Sequence, residues 1–244
     1  MSVTLKLKQL SYDYPNGTGL ANINLEITAG EFVCFMGPNG SGKSTLFNIL
    51  SGLKVATSGA YYFQQTQIDA SYLKKPQQRQ RFHQQIGFVF QNSDVQLFNL
   101  TVADEVAFGL RQLPLSPAEI TQRVNDCLEL TGCSQLRDRV PYHLSGGEKK
   151  RVALASVLAL NPSVLILDEP LNGLTPAAQQ EIRHLLTQLQ QAGKTILIAS
   201  HDYVQIKATA QRFIVFNEAH QIAYDVDQAT LAAKPELEAE LALL

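Results

Sequence analysis

The chain has 244 residues, 20 Lys and Arg against 22 Asp and Glu, a formal net charge of -2 and a 45% hydrophobic fraction. This composition excludes a disordered chain, and the balance of charge gives no overall pull toward nucleic acid or an anionic membrane. The longest apolar run, Val152 to Leu160, closes at Asn161-Pro162, short of the roughly 20 residues of a spanning helix.

The N-terminus alternates rather than running continuously apolar, so it is not expected to act as a secretory signal. Val3 to Lys8 alternates at period two and predicts a half-buried strand. Pro15-Asn16-Gly17 is a turn, and Ile23 to Ile27 alternates again. Phe32 to Met36 is continuously apolar, as a strand buried on both faces would be. A glycine-rich loop from Gly37 to Thr45 follows, then an apolar-periodic helix from Leu46 to Leu53. The polar, glutamine-rich stretch from Gln64 to Gln85 reads as a surface connector. Ile86 to Phe90 is a further strand, ending at Gln91.

Thr101 to Leu113 predicts a helix, and Ser116-Pro117-Ala118-Glu119 predicts a capping box opening another, to about Thr131. Residues 92–143 carry no strand signal and read as an inserted helical subdomain. A helix over Gly147 to Leu160 precedes the buried strand Val164 to Leu167, which ends in Asp168-Glu169. Thr175-Pro176 opens a helix to about Gln191, and Thr195 to Ala199 is a strand ending at Ser200-His201-Asp202. Arg212 to Phe216 and Gln221 to Tyr224 predict a hairpin, with short helices after it. The three cysteines, Cys34, Cys127 and Cys133, lack metal or redox spacing and are expected to be reduced and in or near the core. Strands alternating with helices predict an α/β fold on a mostly parallel sheet, with ligands at the strands' carboxyl ends. The polar clusters at 37–45, 91, 168–169 and 200–201 each follow such a strand.

Gly37-x-x-x-x-Gly42-Lys43-Ser44 matches the P-loop pattern. Glycines let the backbone N–H groups of Asn39, Gly40, Ser41, Gly42 and their neighbours, with Pro38 in the turn, wrap a polyphosphate at a helix start. Lys43 can reach the β- and γ-phosphates, and the Ser44 hydroxyl can ligate Mg²⁺. Asp168 is placed to hold Mg²⁺ through water, and Glu169 to orient or deprotonate the attacking water. His201 is expected to contact the γ-phosphate and stabilise developing charge. Gln91 either touches Mg²⁺ or the water, or caps the next segment.

With Leu144-Ser145-Gly146-Gly147-Glu148 added in this order, the chain resembles the ATP-binding-cassette ATPase family along essentially its whole length. The resemblance implies a P-loop NTPase core over about 1–91 and 144–244, with an antiparallel N-terminal β subdomain and the helical insertion between. It implies ATP and Mg²⁺ as ligands and Tyr14 stacked on adenine. It also implies a homo- or heterodimer in which the Ser145, Gly146, Gly147, Glu148 segment of one cassette completes the nucleotide site of the other. The N–H groups at that helix start supply a second anion site in agreement.

Gln91 to Phe98 and Thr101 to Gly109 resemble the ATPases of energy-coupling-factor and cobalt or nickel importers. That resemblance implies docking of a membrane subunit near Leu97, Phe98 and Phe108, which are suitable apolar anchors; the alternative is that all three belong to the helical region's own core. The chain departs from the family at Thr175, where an aspartate is usual, and at Leu171, where a small hydroxyl residue is usual. Hydrolysis at this chain's own P-loop is nevertheless expected.

The function implied is the ATPase subunit of an importer for a vitamin or transition-metal ion, on the cytoplasmic face of a bacterial membrane, with no nucleic-acid partner. A soluble cassette ATPase of DNA maintenance or the ribosome is the alternative. It is disfavoured by one P-loop, no long heptad segment and no basic stripe. A nucleotide-binding subunit without hydrolysis is disfavoured by Glu169 and His201.

Overall fold

The computed structural model describes residues 3–243. In chain order, β1 (Val3–Tyr14) and β2 (Gly17–Thr28) pair as a long hairpin. Next, β3 (Phe32–Met36) leads through the glycine-rich loop into α1 (Lys43–Leu50), and β4 (Ser58–Phe63) and β5 (Thr66–Gln67) follow. Two helices, α2 (Ala70–Leu73) and α3 (Pro76–Gln85), precede β6 (Ile86–Val89). The helical region holds α4 (Val102–Leu110), α5 (Pro117–Leu130) and the long α6 (Gly146–Leu158). Beyond it lie β7 (Val164–Asp168), α7 (Pro176–Gln191), β8 (Thr195–Ala199), α8 (Tyr203–Ile206), β9 (Arg212–Phe216), β10 (Ile222–Asp227), α9 (Gln228–Ala233) and α10 (Pro235–Leu241).

Two sheets organise these elements. The first is antiparallel in the order β2-β1-β4-β5. The second runs β10-β9-β3-β8-β7-β6, parallel except where β10 meets β9. The apolar runs reflect where the second sheet lies. Val33 and Phe35 of β3 face a core shared with the first sheet and α1, while Phe32, Cys34 and Met36 face a second core under α6 and α7. Strands β7 and β8 divide the same way, with Ile166 and Leu197 on one side and Leu167 and Ile198 on the other. Burial on both faces removes the need for polar alternation, each such side chain contributing about 1.5–3 kcal/mol before conformational entropy is subtracted. A third cluster, from Val102 through Leu128 and Cys133 to Ala155, gives the helical region its own interior. The cysteines are all free, Cys34 and Cys133 buried and Cys127 half-buried.

The expected connector over 64–85 is largely helical. Helix α3 is almost wholly polar, and only Phe82 is buried, edge-on to Tyr61, Phe63 and Tyr72. Glutamine and arginine are good helix formers and Pro76 fits the first turn, so propensity and one apolar anchor suffice where no hydrophobic period exists. Strand β4 has no counterpart among the sequence expectations: Tyr61 and Phe63 alternate inward, but Gly59 at φ 78° interrupts the pattern at its start. The capping box forms as expected, Ser116 and Glu119 bonding reciprocally.

Candidate functional site

Because β3, β8, β7 and β6 are adjacent and parallel, their carboxyl ends open on one edge. The loop after β3, Asp168-Glu169 after β7, and Gln91 beyond β6 line one cleft, whose wall includes Asn39, Gly40, Gly42, Lys43, Ser44 and Thr45. His201 follows β8 and borders the adjoining hollow with Glu169. One sheet edge therefore collects the dispersed sequence clusters.

Two glycines build the loop by necessity. At Gly37, φ is 129° and a Cβ would lie 2.4 Å from the Phe216 carbonyl oxygen. At Gly42, φ is 108° and a Cβ would lie 2.4 Å from the Gly19 carbonyl oxygen. Gly42 also caps α1 with no side-chain bond, so the first N–H groups of that helix point into the cleft uncapped. Lys43 is buried; its ammonium donates to the carbonyls of Gly37 at 2.7 Å and Pro38 at 2.9 Å. Burial pulls its pKa below the usual value, against the raising influence of Glu169 and Asp168. The Ser41 hydroxyl is buried with no partner. Free helix-start N–H groups and an ammonium in one concavity, with the orphaned Ser41 hydroxyl in the same loop, fit a polyphosphate.

Asp168 is also buried, and burial lifts its pKa above the ordinary 3.8, opposed by a hydrogen bond from Ser44 and by the Lys43 charge. A buried carboxylate, a serine hydroxyl and the nearby amide of Gln91 are oxygen donors of the type Mg²⁺ takes, with phosphate and water oxygens completing the shell. Among the described residues, no group of three or more His, Cys, Asp or Glu forms a metal cluster.

Glu169 is the most constrained residue of the edge. Its φ is 49°, a left-handed conformation costing a non-glycine residue of order 1–3 kcal/mol. Its N–H donates to Ala199 O at 3.2 Å, and its Oε2 lies 2.9 Å from His201 Nδ1. The Glu169 side chain is 12% exposed and that of His201 52%. His201 thus meets the carboxylate through one nitrogen and leaves Nε2 toward solvent.

Tyr14 is half-exposed, its hydroxyl 3.0 Å from Thr45 Oγ1, with Lys54 Nζ 4.7 Å from the ring centroid. It stands at the lip of the loop. The Leu144–Glu148 segment holds a second capping box that sequence reasoning missed, although Ser-x-x-Glu is its signal. Ser145 Oγ accepts from Glu148 N–H at 3.4 Å, and the Glu148 carboxylate accepts from Ser145 N–H at 2.8 Å. Glu148 and the Ser145 N–H are therefore committed to the helix start. Gly146 and Gly147, as its first two residues, have no intrahelical acceptor and remain open. Thr175 caps α7, accepting from Ala178 N–H at 3.4 Å, and brings no charge to that helix start. Leu171 is buried.

Leu97 is half-buried against the interior clusters, while Phe98 (66% exposed) and Phe108 (45%) meet edge-to-face at 4.9 Å along a surface groove. Leu97 thus falls on the core side of the two readings. Buried Glu105 accepts from the N–H groups of Phe98 at 2.9 Å and Asn99 at 2.8 Å, holding the groove's rim; it lies in the Thr101 to Gly109 resemblance, which gave it no role of its own. Two further residues escaped notice. Lys150 donates to Glu169 O, and Gln179 to Leu171 O.

A strand-loop-helix phosphate cradle sharing one edge with paired carboxylates and a histidine, plus a glycine helix start on a separate helical region, defines a cassette-type ATPase. The chain belongs to the ABC transporter family, whose model matches residues 20–172, and it binds and hydrolyses ATP as that family does. It is 59% identical over 240 residues to the nickel import ATP-binding protein LarO of Lactiplantibacillus plantarum, covering 98% of this chain and 100% of that one. Among solved structures, cbiO1 of Clostridium perfringens, part of the ABC transporter complex cbiONQ, superposes with a TM-score of 0.86. It is 36% identical, the match covering 100% of this chain and 96% of that one. The ATP-binding cassette MJ0796, solved as a dimer in a post-hydrolysis state with ADP and Pi, gives 0.83 at 31% identity, covering 91% of this chain and 98% of that one. Among the described residues, no helix is long and apolar enough to cross a membrane.

Proposed function

We propose that the chain, seated on the cytoplasmic face of a bacterial membrane, is the ATP-hydrolysing subunit of an energy-coupling-factor type importer that takes up a transition-metal ion, nickel first. The observation that carries the reading is the gathering of Lys43, Asp168, Glu169 and His201 on one sheet edge. The identity to a nickel import ATPase supports the cargo.

In this reading the Gly37–Thr45 loop binds the triphosphate by its N–H groups, and Lys43 exchanges the carbonyls of Gly37 and Pro38 for phosphate oxygens. Tyr14 receives the base. Ser44, Gln91 and Asp168 would hold Mg²⁺, which when bound neutralises charge on the β- and γ-phosphates. Glu169 accepts a proton from the attacking water. His201 meets the Glu169 carboxylate through Nδ1, which orients the ring so that its other nitrogen can contact the γ-phosphate as charge develops there. Gly146 and Gly147 offer their N–H groups to the nucleotide of a second cassette, homo- or heterodimeric. Phe98 and Phe108 receive a helix of the membrane subunit, with Leu97 supporting them from beneath.

The test is purification of the chain with its membrane partners and reconstitution into vesicles. ATP-driven uptake of radioactive nickel is expected, with Glu169→Gln slowing hydrolysis by about 10²–10⁴-fold while ATP still binds. Phe108→Ala should weaken capture of the membrane subunit and leave ATP affinity alone. Uptake of a vitamin in place of nickel would refute the cargo, and co-purification with nucleic acid and no membrane protein would refute the transport role.

A further inference from the structure

Three consecutive basic residues on α6 reach three different elements, as side chains about 100° apart around a helix must. Lys149 Nζ pairs with Asp94 at 2.7 Å and Arg151 with Glu181 at 3.3 Å. Lys150, half-buried between them, turns to the segment after β7. Its ammonium donates to Glu169 O at 3.1 Å and also to Asn172 O. The Glu169 carbonyl additionally accepts from Asn172 N–H at 3.3 Å. On the far side of the same loop, Gln179 Nε2 donates to Leu171 O at 3.2 Å and Leu174 O at 3.4 Å.

A left-handed non-glycine residue persists only where its surroundings over-determine it. At Glu169, strand β8 holds the N–H, His201 the carboxylate and Lys150 the carbonyl. The first two belong to the sheet edge; the third comes from the helix whose start is Ser145–Gly147. We infer that Lys150 is a positioning residue for the catalytic carboxylate: it sets the Glu169 backbone from α6, and so ties the site that this chain completes in its partner to the site where it hydrolyses its own ATP. The inference rests on the proposed use of Gly146 and Gly147 in the partner's site. When the partner's nucleotide seats α6, Lys150 Nζ is carried with the helix and the Glu169 carboxylate is aimed. When α6 is displaced, the part-buried Glu169 carbonyl and the exposed Asn172 carbonyl lose a charged donor and Glu169 is released from its aim. Burial lowers the Lys150 pKa while Glu169 raises it, as expected for an ammonium held close to that carboxylate.

The experiment uses the full chain assembled with its cassette partner. Lys150→Met keeps the length of the stem and removes the donors, whereas Lys150→Arg keeps them. Loss of a charge-assisted hydrogen bond pair is expected to lower kcat about tenfold or more in the Met variant with the KM for ATP within about twofold, and the Arg variant should recover most of that rate. If the Met variant does not fold, Lys150→Leu, which also lacks a donor, carries the same test. In a mixed pair with Lys150→Met in one protomer, single-turnover hydrolysis should slow at that protomer's own P-loop. Slowing at the partner's P-loop instead would overturn the inference, as would an unchanged kcat, a rise in KM alone, or an equal loss in the Arg variant. The underlying reading fails separately: Gly146→Asp would then leave ATP-dependent pairing of the cassettes intact, whatever Lys150 does.

Discussion

Two helix starts in this molecule carry glycine-rich sequence, and they are built in opposite ways. At α1 the glycines are demanded by the fold: Gly42 sits at φ 108° with the Gly19 carbonyl where a Cβ would be, and no side chain caps the helix. At α6 the start is closed by its own capping box, while a Cβ on Gly146 would meet nothing within 4 Å and one on Gly147 only Leu174 at 3.4 Å. Glycine that the chain's own packing does not require is what the proposed approach of a second cassette's nucleotide would call for. The first start is a cradle within this chain; in the proposed pairing the second supplies half of another.

Paired substitutions break this comparison most sharply. Gly42→Ala should cost about 3 kcal/mol or more through strain and the clash with Gly19, abolishing nucleotide binding. Gly146→Ala should leave the melting temperature unchanged or slightly raised, since alanine favours helix by up to about 1 kcal/mol, yet weaken ATP-dependent pairing. Calorimetry and light scattering check both, and equal thermal losses in the two variants would erase the distinction.

Asp168→Asn separates binding from folding at the first cradle. The folded carboxyl keeps its proton to higher pH than the unfolded chain's 3.8. Its ionisation therefore costs stability as pH rises from 3.8 through the raised value, and the penalty is constant above it. At neutral pH the Asn variant should melt about 1–3 °C higher without nucleotide, lose that advantage in acid, and bind Mg²⁺-ATP more weakly. A lower melting temperature at neutral pH would show that the Ser44 and Lys43 contacts outweigh desolvation.

The smallest effect is expected at the second start. Glu148→Ala opens the capping box and should cost about 1 kcal/mol, a drop of about 2–4 °C in a protein of this size. If pairing weakened beyond that cost, as light scattering would read, Glu148 would contact the partner as well as its own helix.

How much of this was legible differs by residue. Gly37 to Thr45, Asp168, Glu169 and His201 could be read because each ends a strand whose unbroken apolar run announces burial on both faces. The order of those strands could not, because β3, β8, β7 and β6 are paired by long-range contacts that leave no local period. Helix α3 was hidden by its polarity and β4 by Gly59. Lys150 was hidden because three successive basic side chains look alike until the helix points each elsewhere.

The sequence alone determined the chemistry on offer: a phosphate loop, two carboxylates, a histidine and a serine–glycine segment, since these depend on residue type and on position at the end of a buried strand or the start of a helix. Only the tertiary structure decided that Glu169 is held in a left-handed turn, that Glu148 serves its own helix, and that Lys150 reaches the loop after β7. Those facts depend on direction in space, which is fixed by the packing of α6 against the sheet edge rather than by any spacing along the chain.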